Sequence, residues 1–224
     1  MADPKEQAAI RRAMSGIDSP CIVELGAHTG EDETWLREAC IDAYSGPGAV
    51  HYVMVEPDPR NCQFILDRQP TSRVRRLIIG AVANQDGEAL FHMSDNERTG
   101  DHGSGSLLEP TGHKTGMPWI KFDRSTWVRT YTLDSLFDRE WLSKIDLLWT
   151  DVQGSEKAML AGGKEALRHT RYLFMEVENV ELYAGQALKP ELIELAAGHG
   201  FEVVEEFEYN ILLMNGRFRE RGPR

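Results

Sequence analysis

Val23-Glu24-Leu25-Gly26-Ala27-His28-Thr29-Gly30 is the stretch whose reading decides the fold. Together with Cys21-Ile22 it begins as a nearly unbroken apolar run, the pattern of a strand buried on both faces, and glycine stops it. Glu31-Asp32-Glu33 follow, an acidic first turn suited to a helix N-terminus. Strand, glycine turn and helix make a place where a ligand can approach bare backbone and meet free helix N–H groups. The glycine spacing narrows the choice of ligand. A dinucleotide fingerprint needs glycine two residues after the first and glycine or alanine three beyond that. Counted from Gly26, those positions hold His28 and Glu31, and no Gly-Lys-Ser/Thr phosphate loop occurs. What remains is an acidic residue, one spacer, Gly26, three spacers and Gly30.

Outward from this stretch, strands and helices alternate. Lys5 to Met14 reads as a short amphipathic helix broken at Ser15-Gly16. Trp35, Leu36, Ala39, Cys40 and Ala43 recur at helical spacing, and Ser45-Gly46-Pro47-Gly48 ends that helix. His51 to Val55 is a second strand closed by Glu56-Pro57, and Val74 to Val82 a third, interrupted by Gly80. Ala89 to Met93 and Trp127 to Leu133 read as further strands, with Asp134 capping the helix that follows. Ile145 to Trp149 and Tyr172 to Val177 are strands, the second breaking up at Glu176 and Glu178. Phe201 to Phe207 and Ile211 to Met214 form a terminal antiparallel hairpin. The alternation implies an α/β fold with a mostly parallel sheet covered on both faces. No linker divides it, so residues 1–224 are expected to form one domain, with an N-terminal helical segment over 1–20.

Residues 94–123 stand apart. Glycines at 100, 103, 105, 112 and 116 interrupt any periodicity, yet Leu107, Leu108, Trp119 and Phe122 are too apolar for a solvated linker. We expect a lid or substrate loop.

The net charge of −11 is wrong for a chain that grips a phosphate backbone, and no nucleic-acid partner is expected. The basic tail of Arg217, Arg219, Arg221 and Arg224 reads as solvated. Three cysteines without a Cys-x-x-Cys pair suit a reducing compartment. The N-terminus lacks the apolar core of a signal peptide, and no apolar run approaches 18 residues. A cytoplasmic protein without a membrane partner is expected. A homo-oligomer is left open.

In open α/β sheets ligands sit outside the C-terminal strand ends. There this chain carries Glu24 and Gly26, Glu56, Asp151, Glu176 and Glu178, a crown of carboxylates. A glutamate ending the second strand can accept both ribose hydroxyls. Asp151 opens Asp151-Val152-Gln153-Gly154-Ser155-Glu156, where it either caps the next helix or faces the reacting group; Glu156 reads as a dipole partner in the first turn.

The glycine turn resembles the first motif of class I S-adenosylmethionine (SAM) methyltransferases. Together with Thr132-Leu133-Asp134-Ser135-Leu136, the Asp151 to Glu156 stretch, Glu176 and Glu181-Leu182-Tyr183, it resembles the FkbM-type family of SAM-dependent O-methyltransferases. The family typically shows Lys and Glu where this chain has Thr150 and Gln153, so the resemblance does not carry the role of those two charges over to this chain. The resemblance implies a Rossmann-like class I methyltransferase fold, SAM as cofactor, and a small-molecule hydroxyl acceptor on a sugar or other natural product. The expected cofactor-binding residues are Glu24, Gly26, His28, Gly30, Glu56, Pro57, Ala81 and Asp151. Asp151 is the first candidate for the base, with His102 and His113 from the irregular stretch as rivals. No metal ligand is assigned. Two alternatives stand beside this reading: a magnesium-assisted O-methyltransferase using Asp151, Glu176 and Asn179, and a binding module that holds SAM or a nucleotide without catalysis.

Overall fold

The computed structural model describes residues 3–40, 50–68 and 75–219. In chain order they form α1 (Pro4–Met14), β1 (Cys21–Leu25), α2 (Glu33–Cys40), β2 (His51–Glu56), α3 (Pro59–Arg68), β3 (Arg75–Ile79) and β4 (Ala81–Val82). There follow β5 (Gly87–Asn96), α4 (His113–Gly116), β6 (Ile120–Tyr131), α5 (Leu133–Arg139), β7 (Ile145–Thr150) and α6 (Glu156–Ala161). The chain closes with α7 (Lys164–Arg168), β8 (Thr170–Glu176), α8 (Lys189–Gly198), β9 (Phe201–Glu206) and β10 (Asn210–Asn215). The expected helix end at 45–48, the start of the third strand and the last arginines of the tail lie outside the described residues.

Seven strands make the main sheet in the order β3-β2-β1-β7-β8-β10-β9. The pairs from β3 through β8 are parallel, while β10 runs antiparallel to both β8 and β9. This is the expected α/β architecture with its terminal hairpin. Strand order reverses between β1 and β7, so a crevice opens beyond their C-terminal ends. Alternation places Val23, Leu25, Val53, Val55, Leu148 and Leu173 on one face, against α5 to α8. Ile22, Tyr52, Met54, Leu147, Trp149 and Phe174 fill the other, against α1 and α2. The three cysteines are buried and free.

Three local readings are corrected. The strand expected over 74–82 turns at Gly80 and divides, β3 staying in the main sheet and β4 joining a second sheet of order β4-β6-β5. Any side chain at Gly80 would press on the Arg129 carbonyl 2.7 Å away. The irregular stretch is also shorter than 94–123, because β5 runs on to Asn96 and β6 begins at Ile120; Asp95↔Lys121 and Asn96↔Ile120 pair across the two strands. Glycines mask such pairing in a sequence because the pairing itself is long-range. Finally, Thr132 caps α5 by accepting from the Ser135 amide, whereas Asp134 accepts from the amides of Glu165 and Ala166 and so caps α7.

The sheet depends on close approach at the β1 turn. Gly26 has φ +80, and a Cβ there would collide with the Asp151 carbonyl oxygen. Gly26→Ala should lower stability by about 2–4 kcal/mol, read from urea denaturation; a loss below about 0.5 kcal/mol would refute this packing role.

Candidate active site

The β1 turn gives its amides to the neighbouring strand. The Gly26 and Ala27 N–H groups both donate to the Val55 carbonyl, at 2.9 and 3.1 Å, and the Asp151 N–H donates to the Leu25 carbonyl at 3.0 Å. The His28 amide donates to Glu56 Oε2 at 2.8 Å. These amides are therefore spent on holding strand ends together, contrary to the expectation of bare backbone free for a ligand. The turn's function is placement.

It opens on a cleft of about 540 Å³. Gly26, His28, Glu56, Pro57, Ala81 and Asp151 line it, six of the eight residues expected to bind the cofactor. Glu24 and Gly30 do not. Glu24 is buried beneath the turn, where it accepts a 2.8 Å hydrogen bond from the Tyr52 hydroxyl. Gly30 closes the turn by donating to the Ala27 carbonyl at 2.7 Å.

Glu56 is 4% exposed, and its carboxyl accepts from the His28 and Asp58 amides and, at 3.3 Å, from Asn61 Nδ2. Burial pushes it up to about 8 despite those donors. A carboxylate has about four lone-pair positions, so these three bonds leave room for a ligand hydroxyl.

Across the cleft, β7 and β8 deliver the second cluster. Gln153 Nε2 donates to Asp151 Oδ1 at 2.6 Å and to Glu176 Oε2 at 2.9 Å. Burial first, and then the charge of and hydrogen bond to Asp151, hold Glu176 well above the usual carboxylate range. Glu156 does more than face a helix dipole. Its Oε1 accepts from the amides of Val152 and Gly154, bracing the turn that carries Gln153, and burial lifts it to about 7. Glu178 and Asn179 lie off the cleft wall, Asn179 exposed. No group of three or more His, Cys, Asp or Glu among the described residues is arranged to hold a metal ion.

The irregular segment now spans 97–119 and packs over this cluster. Ser106 exchanges backbone hydrogen bonds with His92, its hydroxyl donates to the Gln153 carbonyl at 2.6 Å, and the Gly112 N–H donates to the Leu182 carbonyl. His28 Nε2 meets Asp101 Oδ1 at 2.9 Å, joining the segment to the β1 turn. His102 lines the cleft with Nδ1 3.4 Å from Asp95 Oδ1. His113 is not brought to the cleft. It is 2% exposed, wedged beside Phe122 and Tyr183, with neither ring nitrogen hydrogen bonded, and burial lowers its pKa. A ring so enclosed has no path to an acceptor.

Several wall residues were not singled out from the sequence. Asp3 and Glu6 come from α1 and Glu208, Tyr209 and Asn210 from the β9–β10 turn, with Asn210 Nδ2 donating to Glu6 Oε1 at 2.8 Å across 204 residues of chain. Only the assembled sheet brings these together. Asp32 and Gln153 stand inside quoted motifs, where the acidic first turn and the departure from glutamate were the available signals. Nine described residues of the wall are Asp or Glu, two are His, and none is Lys or Arg.

Comparison with known proteins fits this geometry. Residues 24–203 match the Methyltransferase FkbM domain family. The 2-O-methyltransferase NoeI of Sinorhizobium fredii is 32% identical over 202 residues, covering 88% of this chain and 79% of that protein. The crystal structure of Methyltransferase FkbM from Methylobacillus flagellatus aligns with a TM-score of 0.54 at 16% identity. It covers 95% of this chain, which spans half the length of that one; the likeness concerns the fold.

The buried carboxyls make stability depend on pH. Glu56 and Glu156 titrate near 8 and 7 when folded, against an ordinary value of 4.5. The folded chain therefore binds more protons than the unfolded chain between these values. Their contribution is full below about 4.5 and is lost as pH rises through 7 to 8. Urea denaturation should show stability falling by on the order of 5 kcal/mol from pH 5.5 to 8.5, with a shallower fall in Glu156→Gln. A flat or rising profile would contradict the burial of these groups.

Proposed function

Since the chain belongs to the FkbM methyltransferase family, and is accordingly a SAM-dependent O-methyltransferase acting on a small molecule, we propose that its acceptor is a hydroxyl of a sugar or similar natural product and that Asp151 is its base. The observation that carries this reading is the Asp151–Glu176 carboxyl pair, set at the mouths of adjacent strands beside the β1 turn. The Sinorhizobium fredii relative is named as a 2-O-methyltransferase, which supports a hydroxyl acceptor.

The wall suits the cofactor. SAM carries a sulfonium and an ammonium, and an acidic cleft with no Lys or Arg among its described residues favours cations. Glu56 would accept from the ribose hydroxyls, with Pro57 and Ala81 beside it, and Gly26, His28 and Asp151 would border the remainder. When bound, SAM supplies a methyl group on a positively charged sulfur, open to in-line attack by oxygen.

The chain's own part is placement and proton handling. A sugar hydroxyl is a weak nucleophile, and a positioned base raises its rate. Glu176 retains its proton because burial and the Asp151 charge oppose its ionisation. Asp151 is then the member of the pair that can receive the acceptor proton on a carboxylate oxygen. The 97–119 segment packs against this corner through Ser106, where it would help to exclude bulk water once ligands are bound. No metal is required in this scheme, and the magnesium-assisted alternative has weaker support because Asn179 does not line the cleft with Asp151 and Glu176. We place the protein in the cytoplasm, a reading supported by its three free buried cysteines. No helix among the described residues is long and apolar enough to cross a membrane.

Methyl transfer from isotopically labelled SAM to a panel of neutral glycosides tests the proposal. Asp151→Asn should lower turnover about 10²–10⁴-fold while SAM affinity changes less than about threefold. Full turnover in that variant would remove Asp151 as the base, and activity that requires added magnesium would favour the metal-assisted reaction.

A further inference from the structure

Gln153 makes contacts that neither a wall residue nor a turn residue needs. Its backbone is held at φ +49, a left-handed conformation that non-glycine residues rarely adopt. Its carbonyl accepts from Ser106 Oγ at 2.6 Å. Its Oε1 lies 2.7 Å from the Tyr183 hydroxyl, which also stands 2.9 Å from the Ser104 carbonyl. Both protons of its Nε2 point at carboxyls, Asp151 on one side and Glu176 on the other. The amide is thus oriented from both ends. Tyr183 is 1% exposed and fixes the oxygen, which turns the nitrogen toward the acidic pair.

An amide suits this position because it donates without carrying charge. Two carboxyls brought to one point repel unless a donor stands between them or one keeps its proton. Gln153 supplies the donor, and Glu176 keeps the proton. A glutamate would have the same shape but no N–H, and would place a third carboxyl within hydrogen-bonding distance of the other two.

We propose that Gln153 is a positioning residue for methyl transfer: its side-chain amide clamps Asp151 and Glu176 as a pair in which Asp151 is the free base, and Tyr183 sets the direction of the clamp. Gln153 acts through Asp151 and touches no reacting atom. The proposal rests on Asp151 being the base. It extends that reading by naming what holds and aims the Asp151 carboxyl. It also makes the 97–119 segment part of the active-site scaffold, since the Ser106 hydroxyl holds the Gln153 carbonyl from above.

The test uses the full chain with 13C-labelled aspartate and glutamate carboxyls, titrated by NMR without any acceptor, in wild type, Gln153→Glu and Tyr183→Phe. In wild type the pair should titrate in two well-separated steps. In Gln153→Glu the lower step should move up by about one pH unit or more, since three carboxyls then share the site. The acid limb of the turnover profile, which follows the base, should move with that lower step. Turnover at the midpoint of the wild-type acid limb should fall about fivefold and recover to within about threefold at pH 9, with KM for SAM changed less than about threefold. A packing role alone would leave the limb where it is. Tyr183→Phe keeps the amide but frees its oxygen, so exchange of the Gln153 side-chain N–H protons should quicken about tenfold; this readout stands even if Gln153→Glu does not fold. An unmoved titration in folded Gln153→Glu, or unchanged amide exchange in Tyr183→Phe, overturns the clamp. Shifted carboxyl steps without methyl transfer to any glycoside would instead overturn the choice of acceptor and leave the clamp standing.

Discussion

Everything in the site depends on the closeness of two backbones, Gly26 at the end of β1 and Asp151 at the end of β7. The Asp151 amide continues the sheet by donating to Leu25, and its carbonyl then fills the space a side chain at position 26 would occupy. The contact sits at the reversal of strand order, where parallel sheets open a crevice. Because the two chains touch, His28 and Glu56 on one side face Asp151 and Glu176 on the other across a single cleft. A wider gap would leave two half-sites. The glycine is therefore a packing residue first, and it serves the ligand by what it brings together.

The second constraint is electrostatic. A wall with so many carboxylates and no Lys or Arg among its described residues resists full ionisation, and burial lifts Glu56, Glu156 and Glu176 above the ordinary range. The chain eases the repulsion with donors instead of countercharges: amides of His28 and Asp58 at Glu56, amides of Val152 and Gly154 at Glu156, and the Gln153 side chain at the Asp151–Glu176 pair. Such a site is costly when empty and is stabilised by a cation. It penalises anionic ligands by the same physics.

Much of this was legible along the chain. The apolar run ending at Gly26, the acidic end of the second strand at Glu56 and the Asp151 to Glu156 stretch are local patterns, and the strand ends lie where those patterns put them. The features that were not legible all arise from contacts distant in sequence. Gly80 reads as a blemish in one strand until β4 is seen pairing with β6. Asp134 reads as the cap of its own helix, yet it serves α7 thirty residues on. His113 looks like any loop histidine until Phe122 and Tyr183 close around it. Asn210 meets Glu6 only because β10 inserts between β8 and β9. Periodicity finds elements, and it cannot report which ends of them meet.

The central claim is that the acidic cleft at the β1–β7 junction holds the methyl donor with its sulfur toward Asp151. A crystal structure with S-adenosylhomocysteine, the demethylated cofactor, tests it most directly. The account predicts the ribose hydroxyls on Glu56, the adenine beside Ala81, and the sulfur on the side of the cleft occupied by Asp151 and Glu176. Density for the ligand elsewhere, or in the cleft with its ribose turned away from Glu56, would contradict it.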